Sequence, residues 1–304
     1  MASELAVSVV VPVLDGAETI RDLLTALTHQ AGSPRDTEII VVDNGSADTT
    51  AAVVERFPVT LLRQPKPGPS AARNLGVARA RGEVTVFVDA DTLPTRRWLA
   101  EMTAPFASAA RVVVGGHAVS HRAATPAQRF MAQLGTRRLE HDFFRSRVPY
   151  VAAESMAVQR AALIAVGGWD EDLRTAEDLD VCVRLVRRYA CRLVRQPRAV
   201  LFSRRRDTFE ALFRQAWDYG QGLAQAHLRY PEEIPLTASR WLMLARTLAV
   251  RRSKAWLLPR GQRLGVIPAE RAEFARRHWE WSASFWGGFR SMLRHRIWQP
   301  WRPR

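Results

Sequence analysis

Asp89 and Asp91 flank a single alanine directly after the apolar run Val84–Val88. A run of β-branched and aromatic residues of this length reads as a buried strand. The carboxyl end of such a strand is where open α/β sheets hold their ligands. Two carboxylates one residue apart can share one hard divalent cation, Mg2+ or Mn2+, which keeps open positions for phosphate oxygens. Taken alone, the pair is equally a solvated acidic turn, and its weight comes from comparable residues at comparable places along the chain.

Asp43 ends a second apolar run. There it can accept hydrogen bonds from a base N–H or from ribose hydroxyls, or cap the turn at Asn44-Gly45-Ser46. Pro12 and Asp15 lie on the first strand-to-helix loop, where Asp15 can also cap a helix starting near Ala17. Glu18 faces a nucleotide or favours the dipole of that helix. Lys66 and Arg73 come just before and within a helix start preceded by Gly68-Pro69. Positive side chains beside free backbone N–H groups suit a diphosphate or a nucleotide, although an Arg on an amphipathic helix is ordinarily solvated. Glu177 and Asp178 open a further helix, as good capping residues or as a carboxylate placed to take a proton.

These residues need a frame. Residues 5–13, 38–42, 59–62 and 84–88 read as strands. Ile20, Leu23, Leu24 and Leu27 form one face of a helix at i, i+3, i+4, i+7 spacing. Further helices are expected over 49–56, with Ser46 as N-cap, and over 70–81, closed by Gly82. Strands separated by single helices make βαβ units and a mainly parallel, Rossmann-like sheet. Beyond Asp91 the alternation loosens. Strands are expected at 112–114, 151–158 and 193–202, and helices at 128–141, 177–188 and 208–226. A Trp- and Arg-rich tail without strand signals follows.

The chain has 304 residues, 47% of them hydrophobic, which is ordinary for a folded protein. Its formal charge of +15 sits mostly in the later part, a basic surface suited to nucleic acid, anionic lipid or a phosphorylated substrate. Cys182 and Cys191 match no metal or redox spacing and read as buried free thiols. The histidines 117, 121 and 141 also lack metal spacing. Residues 5–11 lack a basic flank and are too short for a signal peptide. The late apolar stretch 241–250 is interrupted by Arg246 and cannot span a bilayer. The expected location is cytoplasmic, with room for peripheral attachment to the inner face of the plasma membrane.

In order, the chain carries Val11-Pro12-Val13 with Asp15, Val41-Val42-Asp43-Asn44-Gly45-Ser46, Gly68-Pro69-Ser70-Ala71-Ala72-Arg73-Asn74 and Asp89-Ala90-Asp91. Gly167-Gly168-Trp169-Asp170 and Glu177-Asp178 come last. This series resembles the family 2 glycosyltransferases over residues 5–225. The resemblance implies an inverting enzyme of GT-A fold with a nucleotide-sugar donor, UDP-linked by expectation, a divalent metal and a hydroxyl acceptor, for which the basic tail suggests a lipid-linked or cell-envelope glycan. It implies that Asp91 ligates the metal and that Asp89 lies nearer the ribose or the metal waters. It also gives Asp43 the base and Asp178 the acceptor proton, with Glu177 in support. Trp169 stacks on a sugar face or belongs to the core. One position departs from the family: Ser203, followed by three arginines, stands where many relatives carry a metal-contacting His, and a hydroxyl is a much poorer ligand.

The expected domains are 1–225, divided into a nucleotide-sugar half (1–110) and an acceptor half (111–225), and a helical basic extension (226–304). In that extension Phe285, Trp286, Phe289, Met292, Leu293, Ile297 and Trp298 interleave with Arg290, Arg294, His295 and Arg296. The pattern suits an interfacial helix on anionic lipid or a helix packed back with a solvated Arg face. The alternative class is a non-catalytic nucleic-acid-binding or scaffold protein using the basic surface. Acidic residues at strand ends and the lack of a recognition motif count against nucleic acid. No G-x-G-x-x-G follows the first strand, which excludes a dinucleotide fingerprint.

Overall fold

The computed structural model describes residues 6–109, 111–134 and 150–299. The chain forms two compact units. Among the described residues, the first takes in those up to 121 and 150–204, and the second 122–134 and 205–299. The chain crosses into the second unit after residue 121 and again, for its C-terminal part, after residue 204. Position 225 lies inside a single helix, Phe209–Arg229.

All the strands among the described residues belong to the first unit: β1 Val7–Val13, β2 Thr37–Asp43, β3 Thr60–Arg63, β4 Val84–Val88, β5 Thr92–Pro94, β6 Val112–Ser120, β7 Ser155–Gln159 and β8 Arg192–Ser203. They form one sheet of eight in the order β3-β2-β1-β4-β7-β6-β8-β5. The expected parallel arrangement holds for β3, β2, β1 and β4. Past β4 the sheet is mixed: β7 runs antiparallel to β4 and β6, β8 is parallel to β6, and β5 antiparallel to β8. The short β5 carries no apolar signal long enough to register in the sequence. β8 runs through Pro197 because its pairing with β6 shifts register between Gly115 and His117, leaving the proline outside the regular ladder.

Helices cover both faces of this sheet. They are α1 Ile20–Thr28, α2 Thr50–Val54, α3 Pro69–Arg79, α4 Trp98–Thr103, α6 Arg160–Ala165 and α7 Glu177–Tyr189. Successive side chains of a strand point to opposite faces. Val9, Val11 and Val13 accordingly pack with Ile20, Leu24 and Trp98, while Val10 packs with Val77, Phe87 and Trp169. β4 is buried on both sides, which is why four of its five residues are apolar. The four apolar positions predicted for α1 are all buried. Cys182 and Cys191 are buried free thiols, and burial pushes the Cys182 thiol up to about 12.

The second unit is helical: α5 Pro126–Leu134, α8 Phe209–Arg229, α9 Ala238–Arg263 and α10 Ala269–His295. The expected continuation of α5 to residue 141 lies outside the described residues, as does His141. Trp281, Phe285, Trp286, Phe289 and Met292 of α10 are buried, so the packed alternative describes this helix. α8 and α10 approach at Gly220 and Gly288. A side chain at Gly288 would collide with the backbone of Trp217, and one at Gly220 with the carbonyl of Phe285. Phe130 of α5 joins the same core, its ring centroid 5.9 Å from Phe209 and 5.4 Å from Phe274.

Candidate active site

The carboxyl ends of β1, β2 and β4, with the N-terminal turns of α3 and α7, bring the expected residues to one side of the sheet. β1 ends beside β2, with Pro12 opposite Val42 and Val13 opposite Asp43. Asp43 is buried, and its Oδ1 accepts the Ser46 N–H at 2.9 Å. The turn-capping role is therefore filled by one oxygen; among the described residues Oδ2 has no recorded partner.

Asp15 does not cap α1. Its Oδ1 accepts the Ala47 N–H at 2.8 Å, and its own N–H donates to Ser46 Oγ at 2.9 Å. Asp48 answers by accepting the Ala17 N–H at 3.1 Å. These contacts stitch the loop after β1 to the loop after β2. Asp15 lies at φ 49°, a conformation short polar side chains tolerate better than most. Glu18 is exposed.

Arg73 departs most from its expected setting. It lies on α3, yet its side chain is only 4% exposed, and it bridges two carboxylates. Nη2 reaches Asp89 Oδ1 at 3.1 Å and Nη1 reaches Glu177 Oε1 at 3.0 Å. Its guanidinium lies 4.8 Å from the Trp169 ring centroid. Burial alone would lower its pKa, but the charges of Asp89 and Glu177 outweigh that and hold it above its ordinary value. Its two donor groups thus tie the end of β4 to the start of α7. Trp169, beneath it, is a core residue packed edge-on against Phe87 at 5.1 Å. Stacking on a sugar is excluded for this ring.

Asn74 and Lys66 hold the loop that leads into α7. Asn74 Nδ2 donates to the Trp169 carbonyl at 2.9 Å and to Glu171 Oε1 at 2.8 Å, while its Oδ1 accepts the Trp169 N–H at 2.8 Å. Lys66 Nζ pairs with Glu171 Oε2 at 2.7 Å, which raises its pKa. Gly167 and Gly168 turn the loop with φ of 88° and 68°, where a Cβ would be strained. Asn44 braces the preceding loop, donating to the Lys66 carbonyl at 2.7 Å and accepting the Gly68 N–H at 2.7 Å. Sequence reasoning missed the bracing roles of Asn44 and Glu171. Glu171 follows directly on the Gly-Gly-Trp-Asp run, but its partner Asn74 is distant in sequence and left no local signal.

α7 begins after Ala176, held at φ 64°, a strained value for a residue with a Cβ. Asp178 Oδ1 accepts the Leu179 N–H at 2.8 Å. Desolvation, and then the neighbouring charge of Glu177, push the Asp178 carboxyl up to about 7. Asp180 serves differently. It is buried and paired with Arg184, whose Nη1 donates to the Val166 and Gly168 carbonyls at 2.7 Å each.

Asp91 is half-buried just past β4, and its carbonyl accepts the Arg204 N–H at 3.0 Å. Ser203 pairs with Thr92 in the β5–β8 ladder and is buried, so it lies next to the acidic pair. The Arg204 guanidinium is engaged by Asp22. No group of three or more His, Cys, Asp or Glu side chains among the described residues could by itself hold a metal. Two carboxylates fit a Mg2+ or Mn2+ ion whose remaining positions go to water and substrate phosphates.

The arrangement can hold a phosphorylated, base-bearing molecule along the ends of β1, β2 and β4 and present a basic carboxylate from α7. Comparison with known proteins gives the family. The profile described as Glycosyl transferase family 2 matches residues 8–167. The chain is 31% identical over 253 residues to the pre-mycofactocin glycosyltransferase of Mycobacterium tuberculosis, covering 79% of this chain and 51% of that protein. It is 26% identical to the probable glycosyltransferase YdaM of Bacillus subtilis, covering 74% of this chain and 56% of that one. The chain thus spans about half the length of these curated relatives. Among solved structures it resembles the mannosyltransferase PcManGT of Pyrobaculum calidifontis, in complex with GDP-Man and Mn2+, with TM-score 0.64, 22% identity, and 93% and 88% of the two chains covered. It also resembles Staphylococcus aureus TarS 1-349 in complex with UDP-GlcNAc, with TM-score 0.54, 18% identity, and 95% and 92% covered. Both likenesses are to GT-A glycosyltransferase folds. With the matched profile covering more than half of its length, this chain belongs to glycosyltransferase family 2.

Proposed function

We propose that the chain is an inverting glycosyltransferase that moves a sugar from a UDP-linked donor to the hydroxyl of a glycan or lipid-linked acceptor. The observation that carries this reading is the Arg73 bridge, which joins Asp89 at the end of β4 to Glu177 beside Asp178. Donor-side and acceptor-side carboxylates are thereby held by one buried guanidinium.

In this reading Asp43 takes the base with Oδ2, Pro12 and Asp15 shape the wall beside it, and Lys66 lies at the diphosphate side. Asp91 and Asp89 would hold the Mg2+ or Mn2+ ion, which offsets the negative charge developing on the departing diphosphate. Asp178 accepts the proton of the acceptor hydroxyl as its oxygen forms the new bond to the anomeric carbon and the bond to the nucleoside diphosphate breaks. Attack from the face opposite the leaving group inverts that carbon. A carboxylate with a pKa near 7 suits this role, being largely free to accept a proton while still a useful base. Glu177, salt-bridged to Arg73, supports Asp178 by keeping its own charge nearby.

Thermal unfolding with a panel of UDP-, GDP- and dTDP-sugars and Mn2+ tests the donor. A ligand bound only by the native state raises the melting point. A shift with one or more UDP-sugars is expected. A shift confined to GDP-sugars would overturn the UDP assignment, and the lack of any shift across the panel would overturn the transferase reading.

A further inference from the structure

We propose that α9, Ala238–Arg263, is a docking helix for an anionic bilayer surface. It goes beyond the transferase reading and rests on different residues. α9 has 26 residues, of which only Leu244 is buried. Its inner side is held to α10, where Arg251 Nη1 donates to Ser282 Oγ at 2.6 Å. The outer side carries large apolar side chains among its cations. Leu242 is 73% exposed, Trp256 58% and Leu257 53%, with Val250 between them. Just past the helix, Leu264 and Val266 are exposed as well. A soluble helix normally turns a polar face to water, and a run of exposed large apolar side chains marks an interaction surface.

The charge on α9 names the partner. The helix carries seven Lys and Arg and no Asp or Glu. Arg246 and Arg260 lie on the outward side with Leu242 and Leu257, at spacings that return to one face after whole turns. Arg260 lies over the Trp256 ring at 3.6 Å from its centroid. Long cationic side chains that lay their stems along apolar surface and lift their charge to a headgroup are the chemistry of a membrane interface. Nucleic acid would use the cations but leave Leu242, Leu264 and Val266 in water. No helix of the described residues is long and apolar enough to cross a membrane, so the contact is with the surface.

The full chain is tested by co-sedimentation with vesicles of phosphatidylcholine alone or mixed with phosphatidylglycerol, at low and high salt. Binding is expected to the mixed vesicles and to fade as salt rises. Each cation near such a surface contributes about 1 kcal/mol, so Arg246→Gln with Arg260→Gln should weaken partition on the order of 10- to 30-fold. Trp256→Ser with Leu257→Ser should weaken it to a similar degree, with melting points like the parent's because these side chains are exposed. Arg290→Gln with Arg294→Gln on α10 should change little. The proposal is overturned if the parent ignores mixed vesicles, if the α10 pair loses as much as the α9 pairs, or if light scattering finds a stable dimer that the Trp256 and Leu257 changes dissociate.

Discussion

Asp178 combines two requirements that seldom meet in one carboxylate: a position at a helix start, where the negative charge is favoured, and enough desolvation to raise its pKa to about 7. Transfer should therefore rise with pH through about 7, as the carboxylate loses its proton, and level off above. Asp178→Asn should keep donor binding while losing on the order of 10²- to 10⁴-fold in turnover; near-parental turnover would remove Asp178 from the base role. A carboxyl whose folded pKa is raised contributes stability below its unfolded value and loses it as pH climbs through the folded value. Asp178→Asn should therefore melt above the parent on the alkaline side of pH 7, and close to it in acid. Arg73→Met strips the counter-ion from Asp89 and Glu177. Breaking such a buried pair costs about 3 kcal/mol, measurable by denaturant unfolding. Because Arg73 also lowers the Asp178 pKa, the acid limb of activity in Arg73→Met should move to higher pH. An unmoved limb would show that the two are uncoupled. Asp91→Ala should abolish the Mn2+-dependent part of donor binding with little change in stability, read by titration calorimetry with and without the ion.

The elements matter here mainly through how they are pinned. α3 supplies Arg73 and Asn74 from adjacent positions, and each points to a different part of the loop-and-helix segment around α7. Asn74→Ala removes three hydrogen bonds to Trp169 and Glu171 and leaves buried groups unpaired. The expected cost is about 1–3 kcal/mol, with donor binding weakened because Lys66 loses the fixed partner Glu171. Amide exchange of residues 167–172 should quicken. Unchanged exchange would mean that the glycine turn alone holds the loop. In the second unit, Gly288→Leu forces α10 away from α8 at Trp217. Overpacking of this kind costs about 1–3 kcal/mol or more, so early melting of the helical unit is expected, with donor binding by the first unit retained.

At the scale of the whole molecule, charge and chemistry are segregated. Residues 205–304 hold 19 Lys and Arg against eight Asp and Glu, which is most of the +15 excess. The acidic site residues all lie in the first unit. The basic excess and the acidic site residues thus fall in different units, whereas a nucleic-acid-binding protein would place its specific residues on the basic part. Truncation after Pro268 should not yield a soluble, merely detached protein. It removes the buried aromatics of α10 and bares the faces of α8 and α9 that they cover, and aggregation on size-exclusion chromatography is the expected result.

Local pattern determined much of this protein. The 3.6-residue period of α1, the apolar runs of β1, β2 and β4, and the carboxylates that close those strands are properties of contiguous residues, where side-chain direction follows from backbone geometry alone. The order of motifs likewise carried the family. What local pattern could not decide was anything that depends on a distant partner. Whether Arg73 is solvated or buried between Asp89 and Glu177, whether Trp169 meets sugar or core, and which way Asp15 turns are settled by loops brought together across the sheet. The aromatic tail showed the same limit most plainly. α9 and α10 both interleave aromatic and basic residues. In the tertiary structure the α10 aromatics are buried, with Gly288 packed against Trp217, while Leu242, Trp256 and Leu257 of α9 face water. Burial is a property of what else packs on a residue, and that is fixed by the tertiary fold.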